Sequence, residues 1–103
     1  MTAAGRDDRE RRIVDVIRAL VPGEVVTYGD VADVAGFPGR SRLVGRILAT
    51  TEEDLPWWRV VNAAGRLVPG NEHEQAAVLR GEGVVVREGR VRDAPWGRFS
   101  RRG

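Results

Sequence analysis

The chain has 103 residues, 42% hydrophobic and 31% charged, with a formal net charge of +2. That is the length of one globular domain, and with no run of about 18 apolar residues it predicts no transmembrane helix. Cysteine is absent, which excludes disulfides, thiolate metal sites and every cysteine nucleophile.

All seventeen basic residues are arginine. A GC-rich coding bias accounts for that choice, and the near-balanced net charge does not by itself point to nucleic acid. No positively charged leader with an apolar stretch opens the sequence, so the expectation is a cytoplasmic protein. One histidine and no cysteine leave no zinc constellation. The expectation is therefore a chain with no cofactor and no bound metal.

Residues 1–8 lack apolar periodicity and read as a frayed lead-in. From Arg9 to Val21 the apolar positions Ile13, Val14, Ile17, Leu20 and Val21 recur at helical spacing, and Pro22-Gly23 stops that helix. Val25-Val26 then leads to Thr27-Tyr28-Gly29-Asp30, a capping-box pattern that predicts a short helix through Val31, Ala32, Val34 and Ala35. Gly36-Phe37-Pro38-Gly39 reads as a turn, and Ser41 to Ala49 as a second helix, giving a helix-turn-helix outline. Leu43, Val44, Ile47 and Leu48 share one arc of about 140° on that helix. Ser41, Arg42, Gly45, Arg46 and Ala49 occupy the rest. Small residues between arginines suit a helix in a DNA groove, and they equally suit a solvated arginine-rich face.

Arg59-Val60-Val61-Asn62 predicts a short strand, Ala63-Ala64-Gly65-Arg66 a turn, and Glu72 to Arg80 a helix closed by Gly81 and Gly83. Val84-Val85-Val86 and Val91, on either side of Glu88-Gly89-Arg90, form a predicted hairpin that would serve as a wing. Residues 87–103 carry six arginines against two acids, a basic tail that is either solvated or set against phosphates. Trp96 and Phe99 are expected to pack the C-terminal segment down. His73 and the acidic run Glu52-Glu53-Asp54 read as surface.

The segment Leu55-Pro56-Trp57-Trp58-Arg59-Val60-Val61-Asn62 resembles the Pro-Cys-His-Arg-Val signature of the O6-alkylguanine-DNA alkyltransferase family, with tryptophan at the acceptor position. Val26 to Asp30 resembles that family's Thr-Tyr-Gly element, and Ser41 to Gly45 its Arg-x-Val-Gly helix. The similarity runs from Ile13 to Phe99. The tryptophan and the Glu72–Gln75 helix opening resemble the alkyltransferase-like branch. The resemblance implies one domain over residues 1–103, ordered over about 9–99. It also implies a mainly α winged helix-turn-helix fold with a small β-hairpin, like the C-terminal domain of these alkyltransferases.

The resemblance assigns Tyr28, Ser41, Arg42, Gly45 and Arg46 to DNA binding. Arg42 would fill the gap left by a flipped base, and Tyr28 would crowd the adjoining phosphate. Pro56, Trp57, Trp58 and Arg59 would form the lesion pocket, with Arg59 and Asn62 fixing the loop and Glu82 matching a buried glutamate. Thiolate transfer is impossible without a thiol, and Trp58 stands where the relay histidine would be. The implied function is non-enzymatic recognition of O6-alkylguanine in double-stranded DNA by a monomer, flagging the lesion for nucleotide excision repair proteins near the nucleoid, with no membrane role. A sequence-reading winged-helix regulator and a protein-interaction module are the alternatives.

Overall fold

The computed structural model describes residues 4–101. Helix α1, Ala4–Arg18, is followed by strand β1, Glu24–Thr27, then by helices α2, Tyr28–Ala35, and α3, Ser41–Thr50. A 3-10 turn at Trp57–Arg59 leads into β2, Val60–Val61, and helix α4 covers Glu72–Gly81. Strands β3, Val85–Arg87, β4, Arg90–Asp93, and β5, Trp96–Gly97, complete the described chain.

Helix α1 starts and ends earlier than its apolar periodicity predicts. Its first half is rich in helix formers and carries an Arg12–Asp8 pair at 3.3 Å one turn apart. Intrinsic propensity therefore extends the helix where no apolar stripe marks it. Of the expected lead-in, only residues 1–3 lie outside the described residues. At the other end Leu20 N–H tightens back onto Ile17 C=O at 3.1 Å, closing the helix before Pro22. Leu20 stays buried beyond the helix end, whereas Val21 is exposed.

The capping box forms as the sequence predicts. Asp30 N–H donates to Thr27 Oγ1 and Thr27 N–H to Asp30 Oδ2, each at 3.0 Å. Gly36 closes α2 in the left-handed region at φ 95°, and Phe37 N–H reaches Ala32 C=O at 2.8 Å, a Schellman closure. The chain then re-enters α3 through the Gly36–Gly39 turn. Val31, Ala32 and Ala35 of α2 are buried, whereas Val34 is 73% exposed.

Two buried clusters lie on either side of a small parallel sheet ordered β2-β1-β5. The first joins α1, α2 and α3 through residues such as Ile13, Ile17, Val31, Val44 and Ile47. The second lies under α4 and the β3–β4 hairpin and includes Leu67, Leu79, Val84, Val86 and Val91. Successive strand residues face opposite ways, so Val60 belongs to the first cluster and Val61 to the second. The register Val26↔Val60 and Thr27↔Val61 holds the clusters together.

This sheet exceeds the sequence expectation, which is one short strand at Arg59–Asn62 beside a hairpin. The predicted strand Arg59–Asn62 contracts to Val60–Val61, because Trp57–Arg59 winds into the 3-10 turn. The hairpin itself forms, turning at Glu88 (φ 56°) and Gly89 (φ 72°), as a two-residue type I′ loop requires. Backbone hydrogen bonds hold the C-terminal segment. Trp96 N–H donates to Gly23 C=O at 3.1 Å and Arg98 N–H to Val25 C=O at 2.9 Å, and Trp96 as a residue is 55% exposed. Phe99 does pack against the second cluster, as expected.

Candidate nucleic-acid interface and lesion cavity

Between α3 and α4 the structure opens a cleft of about 550 Å³, within the range of small-ligand sites. Helix α3 supplies one wall through Gly45, Leu48 and Ala49, and Tyr28 at the start of α2 adjoins it. Trp57 forms a second wall. Val68, Asn71 and Glu74, from the loop before α4 and its first turn, close the far side. A cleft of about 400 Å³ between α1, β1 and α2 shares no lining residue with it and contains no aromatic side chain.

Local sequence explains each wall. Gly45 leaves open space, since a Cβ there would meet nothing within 4 Å. The capping box fixes Tyr28 as the first residue of α2. Burial pushes the Tyr28 phenol above its ordinary pKa, so it stays neutral and keeps its O–H as a donor. Trp57 is held by its backbone, whose N–H donates to Leu55 C=O at 2.7 Å and whose C=O accepts from Val60 N–H. Its ring meets Trp58 edge-on, with centroids 6.1 Å apart at 83°.

The structure therefore brings together three of the residues singled out by sequence, Tyr28, Gly45 and Trp57. Ser41, Arg42 and Arg46 are exposed on α3, and neither Arg42 nor Arg46 makes an ion pair among the described residues. The N-cap residue of α3, Arg40, makes no side-chain capping hydrogen bond among the described residues. Pro56, Trp58 and Arg59, assigned to the pocket from the signature, are not among the residues lining the cleft.

Trp58 and Arg59 belong instead to a buried support beneath the cleft. Glu82 Oε2 accepts from Trp58 Nε1 at 2.9 Å and from Arg59 Nη2 at 2.7 Å, while Oε1 accepts from Arg59 Nε at 3.0 Å and Gly23 N–H at 2.8 Å. Arg59 Nη1 also donates to Leu20 C=O at 2.9 Å, and its guanidinium lies 5.3 Å from the Trp58 ring centre. Burial alone would raise the Glu82 pKa. The hydrogen bonds from Arg59, Gly23 and Trp58 together outweigh it and hold the carboxyl below the ordinary range. Asn62 acts locally as well, its Oδ1 accepting from Ala64 N–H and Arg66 N–H.

Sequence reasoning placed Gln75 in the Glu72–Gln75 helix opening and gave it no role. It is fully buried. Its Oε1 accepts from Val68 N–H at 2.7 Å, and its Nε2 donates to Trp58 C=O at 3.1 Å. It thus ties a lining residue of one wall to the turn that carries Trp57. The one available signal was a polar residue on the apolar side of α4, between Glu72 and Leu79.

A helix-turn-helix whose second helix borders an aromatic cleft defines the class as a DNA-binding domain of the alkyltransferase type. Residues 8–84 match the family described as the 6-O-methylguanine DNA methyltransferase DNA-binding domain, and the chain belongs to this family, in its alkyltransferase-like branch. It is 40% identical over 81 residues to a DNA base-flipping protein of Vibrio parahaemolyticus, spanning 75% of this chain and 81% of that one. Alkyltransferase-like protein 1 of Schizosaccharomyces pombe is 30% identical over 86 residues, 78% of this chain and 80% of the relative. The crystal structure of that yeast protein in complex with damaged DNA containing O6-carboxymethylguanine superposes with a TM-score of 0.71 at 30% identity. The match covers 79% of this chain and 81% of that one.

Proposed function

We propose that this protein recognises O6-alkylguanine in duplex DNA by flipping the base into the Trp57 cleft, without transferring the alkyl group. The observation that carries this reading is the cleft itself. An aromatic wall, a phenol and a small-residue helix face converge there, in a chain with no thiol to accept an alkyl group. The base-flipping and lesion-bound relatives support the same reading.

Energetically the cleft answers the main cost. Extruding a base takes a few kcal/mol, less when its pairing is already weakened. Stacking on Trp57 returns roughly 1–3 kcal/mol, and an alkyl group gains further by leaving water. Arg42 on the exposed face of α3 fills the vacated stack, and Tyr28 presses on the neighbouring phosphate. The N-terminus of α3, flanked by Arg40 and Arg42, suits phosphate contact. The protein acts as a cytoplasmic, nucleoid-associated monomer, and the flipped complex is what recruits nucleotide excision repair.

The test is a titration of a short duplex carrying one O6-methylguanine against the same duplex with guanine, at about 150 mM salt. A preference of tenfold or more, about 1.4 kcal/mol, is expected, with the methyl group recovered intact on the DNA. Equal affinity for the two duplexes, or methyl transfer to the protein, overturns the proposal.

A further inference from the structure

We infer that Glu74 makes the cleft selective against anionic O6-adducts, so that its lesions are guanines with neutral or hydrogen-bond-donating O6 substituents. This rests on the lesion-pocket reading above and goes beyond it, by naming which adducts the pocket admits. Glu74 lines the cleft from the first turn of α4, facing a space otherwise bordered by Trp57, apolar side chains, the neutral Tyr28 phenol and the Asn71 amide. Among the described residues, no arginine lines that space. The Glu74 carboxylate has no hydrogen-bond or ion-pair partner among the described residues, so its charge is not neutralised from within the protein.

A carboxylate-bearing adduct placed in this cleft brings a second negative charge beside Glu74, with no cation to compensate. Like charges at close range repel, more strongly once a bound base has displaced water. A methyl group meets only the apolar walls. A hydroxyethyl group can donate to the carboxylate of Glu74 or the carbonyl of Asn71. The yeast relative was crystallised with a carboxymethyl adduct, so that adduct is the informative probe for this chain.

The experiment compares four duplexes that differ only in one base: guanine, O6-methylguanine, O6-(2-hydroxyethyl)guanine and O6-carboxymethylguanine. Each is titrated with the wild-type chain and with Glu74→Gln. Wild type is expected to bind the methyl and hydroxyethyl duplexes at least tenfold more tightly than the carboxymethyl duplex. Glu74→Gln should reduce that ratio to threefold or less. Removing a negative charge near DNA tightens binding to all four duplexes, so the ratio between lesions is the readout, not the absolute affinity. A wild-type preference for all three lesions over guanine, with no discrimination against carboxymethyl, overturns the Glu74 proposal and leaves the pocket reading standing. So does a ratio unchanged in Glu74→Gln. Equal binding of lesion and guanine duplexes overturns both.

Discussion

The indole nitrogen of Trp58 donates to Glu82 Oε2 at 2.9 Å, from a position assigned by the family resemblance to a relay histidine. The contact turns that position from proton transfer to support. Tryptophan has a donor and no acceptor, so Trp58 can hold Glu82 as a carboxylate but cannot pass a proton to it. Trp57 rests edge-on against the ring that Glu82 anchors. Trp58→Phe keeps most of the ring and removes the donor. The expected loss is about 1–2 kcal/mol in urea denaturation, with weaker discrimination of lesion from undamaged duplex. Unchanged stability would mean that Glu82 is held by Arg59 and Gly23 alone.

The Arg59–Glu82 pair also sets a pH dependence. Both side chains are nearly buried, at 11% and 12% exposure. Glu82 and Asp30 are each held below their ordinary carboxylate range, burial opposing the shift in both. Hydrogen bonds from Arg59, Gly23 and Trp58 lower Glu82, and those from Arg98 and Thr27 lower Asp30. Because the folded-state pKa values are depressed, this stabilisation is complete above the unfolded carboxylate range of about 4 and is lost as pH falls from there through the lower folded-state values. Tm is expected to be flat from about pH 8 to 5.5 and to drop below about pH 4. Glu82→Ala leaves the guanidinium of Arg59 without its partner. It should cost roughly 3 kcal/mol at neutral pH and flatten the acid limb of the Tm profile.

Gly45 separates helix stability from cleft function. Its neighbourhood is open, and glycine within a helix is about 1 kcal/mol less favourable than alanine. Gly45→Ala should therefore raise Tm by a few degrees. Gly45→Leu projects into the cleft, so lesion preference should fall to less than twofold without a drop in Tm. Retained preference in the leucine variant would move the lesion site away from this cleft.

Gln75→Leu tests the buried clamp. The substitution strands Val68 N–H and Trp58 C=O in the interior, an expected cost of about 2–3 kcal/mol. Lesion discrimination should weaken with it, since the two walls lose their shared tether. Calorimetry paired with the duplex titration separates the two effects.

Arg42→Ala probes the proposed stack-filling side chain. Arg42 is exposed and makes no ion pair among the described residues, so thermal stability should not change. Lesion binding should fall at least tenfold, in keeping with a contact worth about 1–3 kcal/mol. Tyr28→Phe should weaken binding in the same assay. Full lesion affinity in either variant at moderate salt would remove that residue from the flipping mode.

The local rules were legible in the residues. Thr27 and Asp30 specify the start of α2, Gly36 its end, and the Leu43-Val44-Ile47-Leu48 arc the buried side of α3, because each depends on neighbours within a turn or two. Glu88-Gly89 specifies the hairpin for the same reason. Signature and cysteine count together carried the family and the absence of a thiol. Where propensity ran without periodicity, at the start of α1, the sequence pattern fell short.

Only the tertiary structure decided what lies far apart in the chain. Strand β5, of two residues, has too little pattern to be seen, and it joins β2 in one sheet because β1 stands between them in parallel register. Trp57 and Trp58 are adjacent and both aromatic, yet the 3-10 turn sends one to the cleft and the other to Glu82. Glu74 and Gln75 are likewise adjacent, and the pitch of α4 exposes the first to the cleft and buries the second between its walls. Side chains a helical residue apart point about 100° away from one another. Which of them meets the cleft depends on how α4 packs, and packing is set by contacts that no local pattern records.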